Sequence, residues 1–438
     1  MKMNIKNIFH ITAAAFITGC ATVKTPETSA LFEKRVDPES GVVAYKLRTG
    51  IISENQQSAY FTFDSMTADG RFLLVMTSNN EFTNPKVSNG MALVDFKQDK
   101  IFDLKIRRTI PWLDVNTAQL WYIRKGPDGS YKGSAICRRD LRIDPLKDIV
   151  ETPIPEEIFA KGKEVKYLST HITLTKNRRK AFIAFNIDDI YEQGMVDFDT
   201  GKFESWGTCP FYANHDQLNP ADDTLAMVAW EDCWKTQDAL DFQKKTGWYP
   251  RIWLCRPDGT RTLQPSRIIN NATHERWAAD GKGFYFCAPG PEGGSGVIYQ
   301  DLKTGNQECV CPRKCLHASM TADLKYVAFD CGRKSLKFYR GRPYEIGFWN
   351  RATRRGVLVQ SPGEALTTPD KPSKLHPDGH PTFVCGDRYI VWTILNSDGH
   401  MDLALAPVKP LIERTSNPKK DDKAVFTAEL KGRKEIWP

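Results

Sequence analysis

The chain reads as an all-β protein, a seven-bladed β-propeller of four-stranded antiparallel blades like those of TolB and WD40 repeats. Three observations predict this. One phrase recurs along the chain: a histidine or aromatic residue, a turn carrying Asp or Asn, then an apolar run. The recurring unit is about 45 residues, the length of a propeller blade. No helical heptad and no βαβ alternation interrupts the pattern. A four-stranded sheet of this size hides its faces only against its neighbours, so the repeats must stack around an axis.

Six statements of the phrase are clear. Residues 61–77 read FTFDSMTADGRFLLVMT, and residues 171–185 read HITLTKNRRKAFIAF with Asn177 in the turn. Then come 215–230 (HDQLNPADDTLAMVAW), 274–286 (HERWAADGKGFYF), 317–330 (HASMTADLKYVAFD) and 380–393 (HPTFVCGDRYIVWT). A weaker unit at 118–130 (AQLWYIRKGPDGS) fills the long gap after the first and brings the count to seven. Between phrases lie strand, turn and strand again, as in GMALVDFKQDKIFDL at 90–104 and GMVDFDTGKFESW at 194–206; these are hairpins with Asp, Gly and Lys in their turns. An insertion at 236–247 (TQDALDFQKKTG) predicts a short helix at one rim, and 340–344 and 361–374 read as long loops.

The ends read differently. Lys2 and Lys6 precede a short apolar run, Ile11 to Ile17, that closes in Ile17-Thr18-Gly19-Cys20. The run is too short to span a bilayer and has the form of a signal peptide with a lipobox. The expectation is a bacterial lipoprotein acylated at Cys20, held in the cell envelope by that anchor alone, with plain periplasmic or secretory release as the milder form. Residues 1–20 are then signal, 21–45 a flexible tether, 46–408 the propeller and 409–438 a tail. The ten cysteines after Cys20 would meet an oxidising compartment. Cys309, Cys311 and Cys315 lack the paired CxxC knuckles of structural zinc, and Cys287, Cys331 and Cys385 read as small buried hydrophobes. Basic residues exceed acidic by 61 to 53 but are scattered apart from Lys419, Lys420 and Lys423, so nothing points to nucleic acid.

Five of the eight histidines, His171, His215, His274, His317 and His380, stand six or seven residues before the turn Asn or Asp of their repeat. In a propeller the first strand of each blade is innermost, so equivalent positions at its start converge on one mouth of the channel. Imidazole is the commonest metal ligand and the usual neutral-pH base, so such a ring suggests a metal, a base or both. His376 lies four residues before His380 and adds a sixth imidazole, whereas His10 falls in the signal and His400 in an exposed turn. The alternative is that the histidines only brace their strands.

THERW at 273–277, LHASMTAD at 316–323, and HPDGHPTF at 376–383 followed by the SDG turn at 397–399 resemble the oligogalacturonate lyases, seven-bladed propellers that degrade pectin fragments. NHDQLNP at 214–220 is similar to the family's GHxxxxP segment, and Arg251 to an Arg just before a strand and DG turn. The resemblance spans about residue 46 to 408. It implies a polysaccharide lyase that cleaves short uronate oligosaccharides by β-elimination, leaving 4,5-unsaturated products. It also implies a divalent metal, manganese, held by three His and a Gln, with a separate His as base. Carried over, His274 matches the base, His317 a metal ligand and His380 the second His of an HPHP motif. His376 matches the first His if Asp378 and Gly379 are an insertion; without a gap, Asp378 takes that place. Ser373 stands where the family has its Gln. Arg251 is assigned to catalysis, and His215, His171 and Trp277 to binding a small acidic oligosaccharide, with Trp230 and Trp392 as further stacking faces.

The chemistry supports the same set of residue types. A proton beside an ionised carboxylate is weakly acidic, because its loss puts a second negative charge next to the first. A divalent cation on that carboxylate offsets the charge, and a neutral His can take the proton. Glycoside hydrolysis would instead want two facing carboxylates, and Glu275 is the one acid within a histidine motif. The alternatives are a TolB-like propeller that only binds a glycan or a protein, or a hydrolase.

Overall fold

The computed structural model describes residues 22–78, 90–107, 111–162, 164–168, 171–266, 272–288, 296–331, 344–362, 378–396 and 400–427. Seven antiparallel sheets succeed one another along the chain and form the seven blades of a propeller. Blade one starts at Asn55–Gln57 and ends at Lys100–Arg107; blade two runs from Trp112–Asp114 to Ile149–Pro153; blade three from Val165–Leu168 to Phe203–Cys209. Blade four spans Ala213–Leu218 to Arg261–Gln264, blade five Thr273–Trp277 to Gln307–Cys311, and blade six Ala318–Met320 to Arg355–Gln360. Blade seven combines Thr382–Val384, Tyr389–Leu395 and Met401–Pro407 with two strands from the other end of the chain.

The turn residues explain why the repeats read alike. Thr67, Thr175 and Thr321 each place a hydroxyl 2.6–2.8 Å from a side-chain oxygen of Asp69, Asn177 or Asp323. That same oxygen accepts the backbone N–H two residues on, from Arg71, Arg179 and Lys325. A short polar side chain thus replaces a backbone partner and closes the turn between the first and second strands. Gly281 belongs to this turn in blade five with φ 67°, and a Cβ there would lie 2.3 Å from Asn219 Oδ1 of blade four, so the turn also sets how closely the two blades approach. The second and third strands bury both faces, as Gly90–Asp95 does along its whole length, because each blade is covered by a neighbour on either side.

Two expectations for the ends are corrected. In place of a tether over 21–45, Phe32–Val36 pairs with Val43–Leu47, and Val43–Leu47 pairs with Met401–Pro407. The closing blade would otherwise end in an open sheet edge at Met401–Pro407, and the amino-terminal strands cover it. Their outer face is charged, as in FEKRV, and this is why they read as polar chain. Of the expected tail over 409–438, the described part, 409–427, is not simply a tail either. Helix Val408–Ser416 buries Val408, Leu411 and Thr415 and packs on the outer strands of blade six, and Val425–Thr427 adds an outermost strand there. The insertion forms the expected helix, Gln237–Thr246, ending on Gly247 with φ 86°. All ten described cysteines are free thiols, with Cys287 and Cys315 3.4 Å apart in the core. The signal segment, Cys20 included, lies outside the described residues.

Leu47 is fully buried between the closing strand and blade one, among Met66, Leu73, Val75 and Leu403. Leu47→Ala is expected to cost about 2–5 kcal/mol, read from the denaturant midpoint; a loss below about 1 kcal/mol would mean that the amino-terminal strand does not close the ring.

Candidate functional site

The inner strands of blades four and five each carry one residue too many. In blade four Asn214 faces Ala229 and Gln217 faces Met227; in blade five Thr273 faces Cys287 and Arg276 faces Tyr285. Each strand therefore bulges at the register histidine, and a bulge re-aims a side chain that the pleat would direct elsewhere. His215 and His274 sit in these bulges with φ 57° and 52°, and His380, just before the inner strand of blade seven, has φ 44°. Histidine is among the residues that tolerate this left-handed region, yet it costs about 1–3 kcal/mol at each position. Three independent blades bear that cost at the same register.

The five imidazoles form a continuous arc. Ring centroids are 5.4 Å apart for His171 and His215, 6.0 Å for His215 and His274, 4.0 Å for His274 and His317, and 4.3 Å for His317 and His380. All five are buried. Blade one supplies aromatic residues: Phe63 stacks on His171 at 5.0 Å, Phe61 meets His274 and His317, and Tyr60 stands edge-on to His171, His215 and His380.

Three side chains could hold a metal ion. Ligand atoms of His317, Asp378 and His380 all lie within 4.8 Å of one another, and all three residues are buried. Asp330, on the second strand of blade six, organises this set. It accepts the His317 backbone N–H at 2.7 Å, lies 2.8 Å from His317 Nδ1 and accepts the His380 backbone N–H at 3.3 Å. A carboxylate only accepts, so the His317 proton sits on Nδ1 and Nε2 keeps its lone pair for a cation. Two imidazoles and a carboxylate suit a hard or borderline divalent ion. Asp378 thus stands where the ungapped reading puts it; His376 and Ser373 lie outside the described residues.

His274 is set up differently. Its Nδ1–H donates to the Leu316 carbonyl at 2.7 Å, which leaves Nε2 as an acceptor. Burial, then the neighbouring His317 and His215, push its pKa well below the usual histidine value, so it stays neutral. His171, 3.1 Å from Thr62 Oγ1 through Nε2, is lowered likewise by burial and then by His215.

Behind His215 lies a buried charge network. His215 Nδ1 is 2.8 Å from Glu275 Oε1; Arg251 donates from Nε to Glu275 Oε2 at 2.9 Å and from Nη2 to Glu231 Oε2 at 3.2 Å. Burial alone would raise the Glu275 pKa, but the Arg251 guanidinium and then His215 hold it well below the usual range. Arg251, expected to take part in catalysis, instead braces the buried Glu275 and the half-buried Glu231, which both pair with its guanidinium. Glu231 and Glu275 therefore face each other across an arginine and not across a sugar ring.

Trp277 is corrected as well. Its ring packs in the core with Phe284, and its Nε1–H donates to the Gln217 carbonyl at 3.0 Å. It borders a cavity of about 390 Å³ at the far ends of the inner strands, whose walls include His171 but none of His215, His274, His317 and His380. Trp392 is core and Trp230 stacks on Phe211, so neither joins the histidines. His400 is half-buried, where exposure was expected. Sequence reasoning missed Tyr60, Asp330 and Glu231. Asp330 had a signal, a lone carboxylate in the apolar strand YVAFDC, and so did the aromatic run Tyr60 to Phe63 at the place where blade one lacks its histidine.

No protein-family model matches the chain, and no curated protein matches it in sequence. Among solved structures the chain is similar to an oligogalacturonate lyase in complex with manganese: TM-score 0.65 and 17% identity over 88% of this chain and 97% of that one. It is equally similar to the oligogalacturonate lyase of Vibrio parahaemolyticus, with TM-score 0.65 and 17% identity over 86% and 96% of the two chains. At this identity the likeness shows the fold. TolB from Acinetobacter baumannii is less similar, with TM-score 0.39 at 12% identity over 77% of this chain and 81% of that one.

If the donor set binds a divalent ion, manganese at 100 times its Kd raises stability by about 2.7 kcal/mol. Thermal melts should show that rise, chelator should reverse it, and Asp378→Ala and His380→Ala should abolish it; a wild-type melt indifferent to manganese would contradict the assignment.

Proposed function

We propose that this propeller cleaves short uronate-containing oligosaccharides by metal-assisted β-elimination, producing a 4,5-unsaturated uronate at the new non-reducing end. The observation that carries the reading is the pairing of two unlike sites. A donor set of His317, Asp378 and His380 lies beside an imidazole, His274, whose ring centroid is 4.0 Å from that of His317 and whose Nε2 is an acceptor. The likeness to a manganese-bound lyase structure supports manganese as the ion.

A divalent ion bound there offsets the charge that builds on the uronate carboxylate as the adjacent proton leaves. The chain's own residues do the rest. Asp330 fixes His317 and His380 for binding, so the donor set is formed before the substrate arrives. His274, kept neutral by burial, takes the C5 proton on Nε2, and the Leu316 carbonyl holds the resulting imidazolium through Nδ1–H. Burial of the cluster excludes water, which favours elimination over hydrolysis. Hydrolysis by paired carboxylates finds less support, since Glu231 and Glu275 are both bound to Arg251. The lipobox-like end at Cys20 suits work in the bacterial cell envelope, on oligosaccharides small enough to reach a channel mouth.

Digalacturonate with manganese should yield product absorbing in the ultraviolet as a conjugated unsaturated uronate. His274→Asn, whose asparagine tolerates the left-handed backbone, should lower kcat by about 10²- to 10⁴-fold with manganese binding intact. Saturated products from every uronide tried would sink the reading.

A further inference from the structure

We propose that the hairpin tip of blade two, which carries Ile143 and Leu146, seats in the phospholipid bilayer that holds the acyl chains of Cys20, so that the mouth bearing the histidines faces away from the membrane. This goes beyond the lyase reading and is independent of it. It rests on acylation at the lipobox-like end.

Apolar exposure is concentrated at this tip. Among the described residues eight large apolar side chains are exposed, and four of them, Ile143, Leu146, Ile149 and Val150, fall in one stretch of blade two. Scattered exposed apolar residues are ordinary, but a cluster marks a surface that something covers. Ile143 is 83% exposed and Leu146 54%. The matching turns between third and fourth strands in blades one, three, four and five are short and polar: KQD at 97–99, DTGK at 199–202, RPDGT at 256–260 and KTGN at 303–306. Blade two instead has LRIDPLKD at 141–148.

The tip has a fixed shape. Asp140 Oδ1 accepts the backbone N–H groups of Arg142 at 3.0 Å and Ile143 at 3.2 Å, and Asp144 Oδ1 accepts that of Leu146 at 2.9 Å. Arg142 folds back to donate to the Thr117 carbonyl at 2.7 Å and to Asp69 Oδ2 of blade one at 2.9 Å. The polar groups of the turn thus bond to one another and to the propeller, which leaves Ile143 and Leu146 to the outside. Holding these two side chains in water costs free energy that contact with acyl chains recovers.

Where the chain leaves the propeller decides what covers the tip. The Lys24 N–H donates to the Phe96 carbonyl at 3.1 Å and its Nζ to Asp99 Oδ2 at 2.6 Å, so this end of the chain is held at the turn between the third and fourth strands of blade one. Lys24 is four positions from Cys20, a reach of about 14 Å when fully extended. The acyl chains therefore keep this rim of blade one at the bilayer. The rims of blades one and two are joined: Arg71 pairs with Asp95 at 3.0 Å and gives its backbone N–H to Asp69, whose other oxygen takes Arg142. Strand direction alternates within a blade, so these turns lie at the end opposite the histidines. A lipid anchor fixes the distance to the membrane but not the tilt, and the apolar tip beside it supplies the second contact.

The test puts a bimane label at Lys147→Cys, an exposed position beside Leu146, in the acylated full chain on phosphatidylethanolamine vesicles with brominated acyl chains. The other described thiols are buried or partly buried, and wild type treated alike gives the background. Emission from the hairpin label should fall several-fold by contact quenching, whereas the same label at Lys245→Cys, on the insertion helix at the histidine end, should keep its emission. Ile143→Asp with Leu146→Asp should restore the hairpin emission while the acyl chains hold the protein on the vesicles. No quenching at the hairpin, equal quenching at both labels, or quenching that survives the double substitution overturns the proposal. So does a chain unacylated at Cys20, or a hairpin label that responds to protein concentration without vesicles, which would mean that a second copy covers the tip. The lyase reading stands in each case.

Discussion

The structure depends on a backbone constraint, the bulge that turns a histidine into the left-handed region at the start of an inner strand. An ordinary strand alternates its side chains between two faces, and both faces of a blade are occupied by neighbouring blades. A residue on the pleat therefore packs between blades and not into the channel. The extra residue at His215 and His274 breaks that alternation locally, and the same conformation recurs at His380. Convergence of imidazoles from five blades follows from the repeat, without any long loop having to reach across the channel.

Two buried carboxylates then give chemically equivalent imidazoles different tasks. Asp330 binds the backbone and ring of His317 and the backbone of His380, tying blades six and seven at the donor set. Glu275 binds His215 and is itself held by Arg251. Burying an unpaired carboxylate is costly, so each must be satisfied locally, and each is satisfied by the histidine it orients. His274 has no carboxylate partner of this kind; a neutral carbonyl takes its Nδ1–H. An imidazole backed by a carbonyl releases a proton more readily than one backed by a carboxylate, which under the proposed function separates a base from a ligand within one arc.

The fold was readable because its signals are local. The Thr and Asp of the TAD turn bond within a few residues, so the repeat is visible in FTFDSMTADG and HASMTADLK alike. The histidine register was readable for the same reason. What escaped depends on distance along the chain. Tyr60 meets His215 from 155 positions away, and Arg251 reads as a free cation until Glu275 and Glu231 close on it. The amino-terminal strands escaped because their partner lies at the other end of the sequence, and Trp277 because an aromatic residue beside a histidine motif looks the same in a core as in a sugar site.

The central claim is that His317, Asp378 and His380 form one metal centre beside His274. Anomalous diffraction from crystals soaked in manganese tests it most directly. The account predicts one strong peak within coordination distance of His317 Nε2, the Asp378 carboxylate and the His380 ring. A peak elsewhere, or none at these residues at saturating manganese, would contradict it.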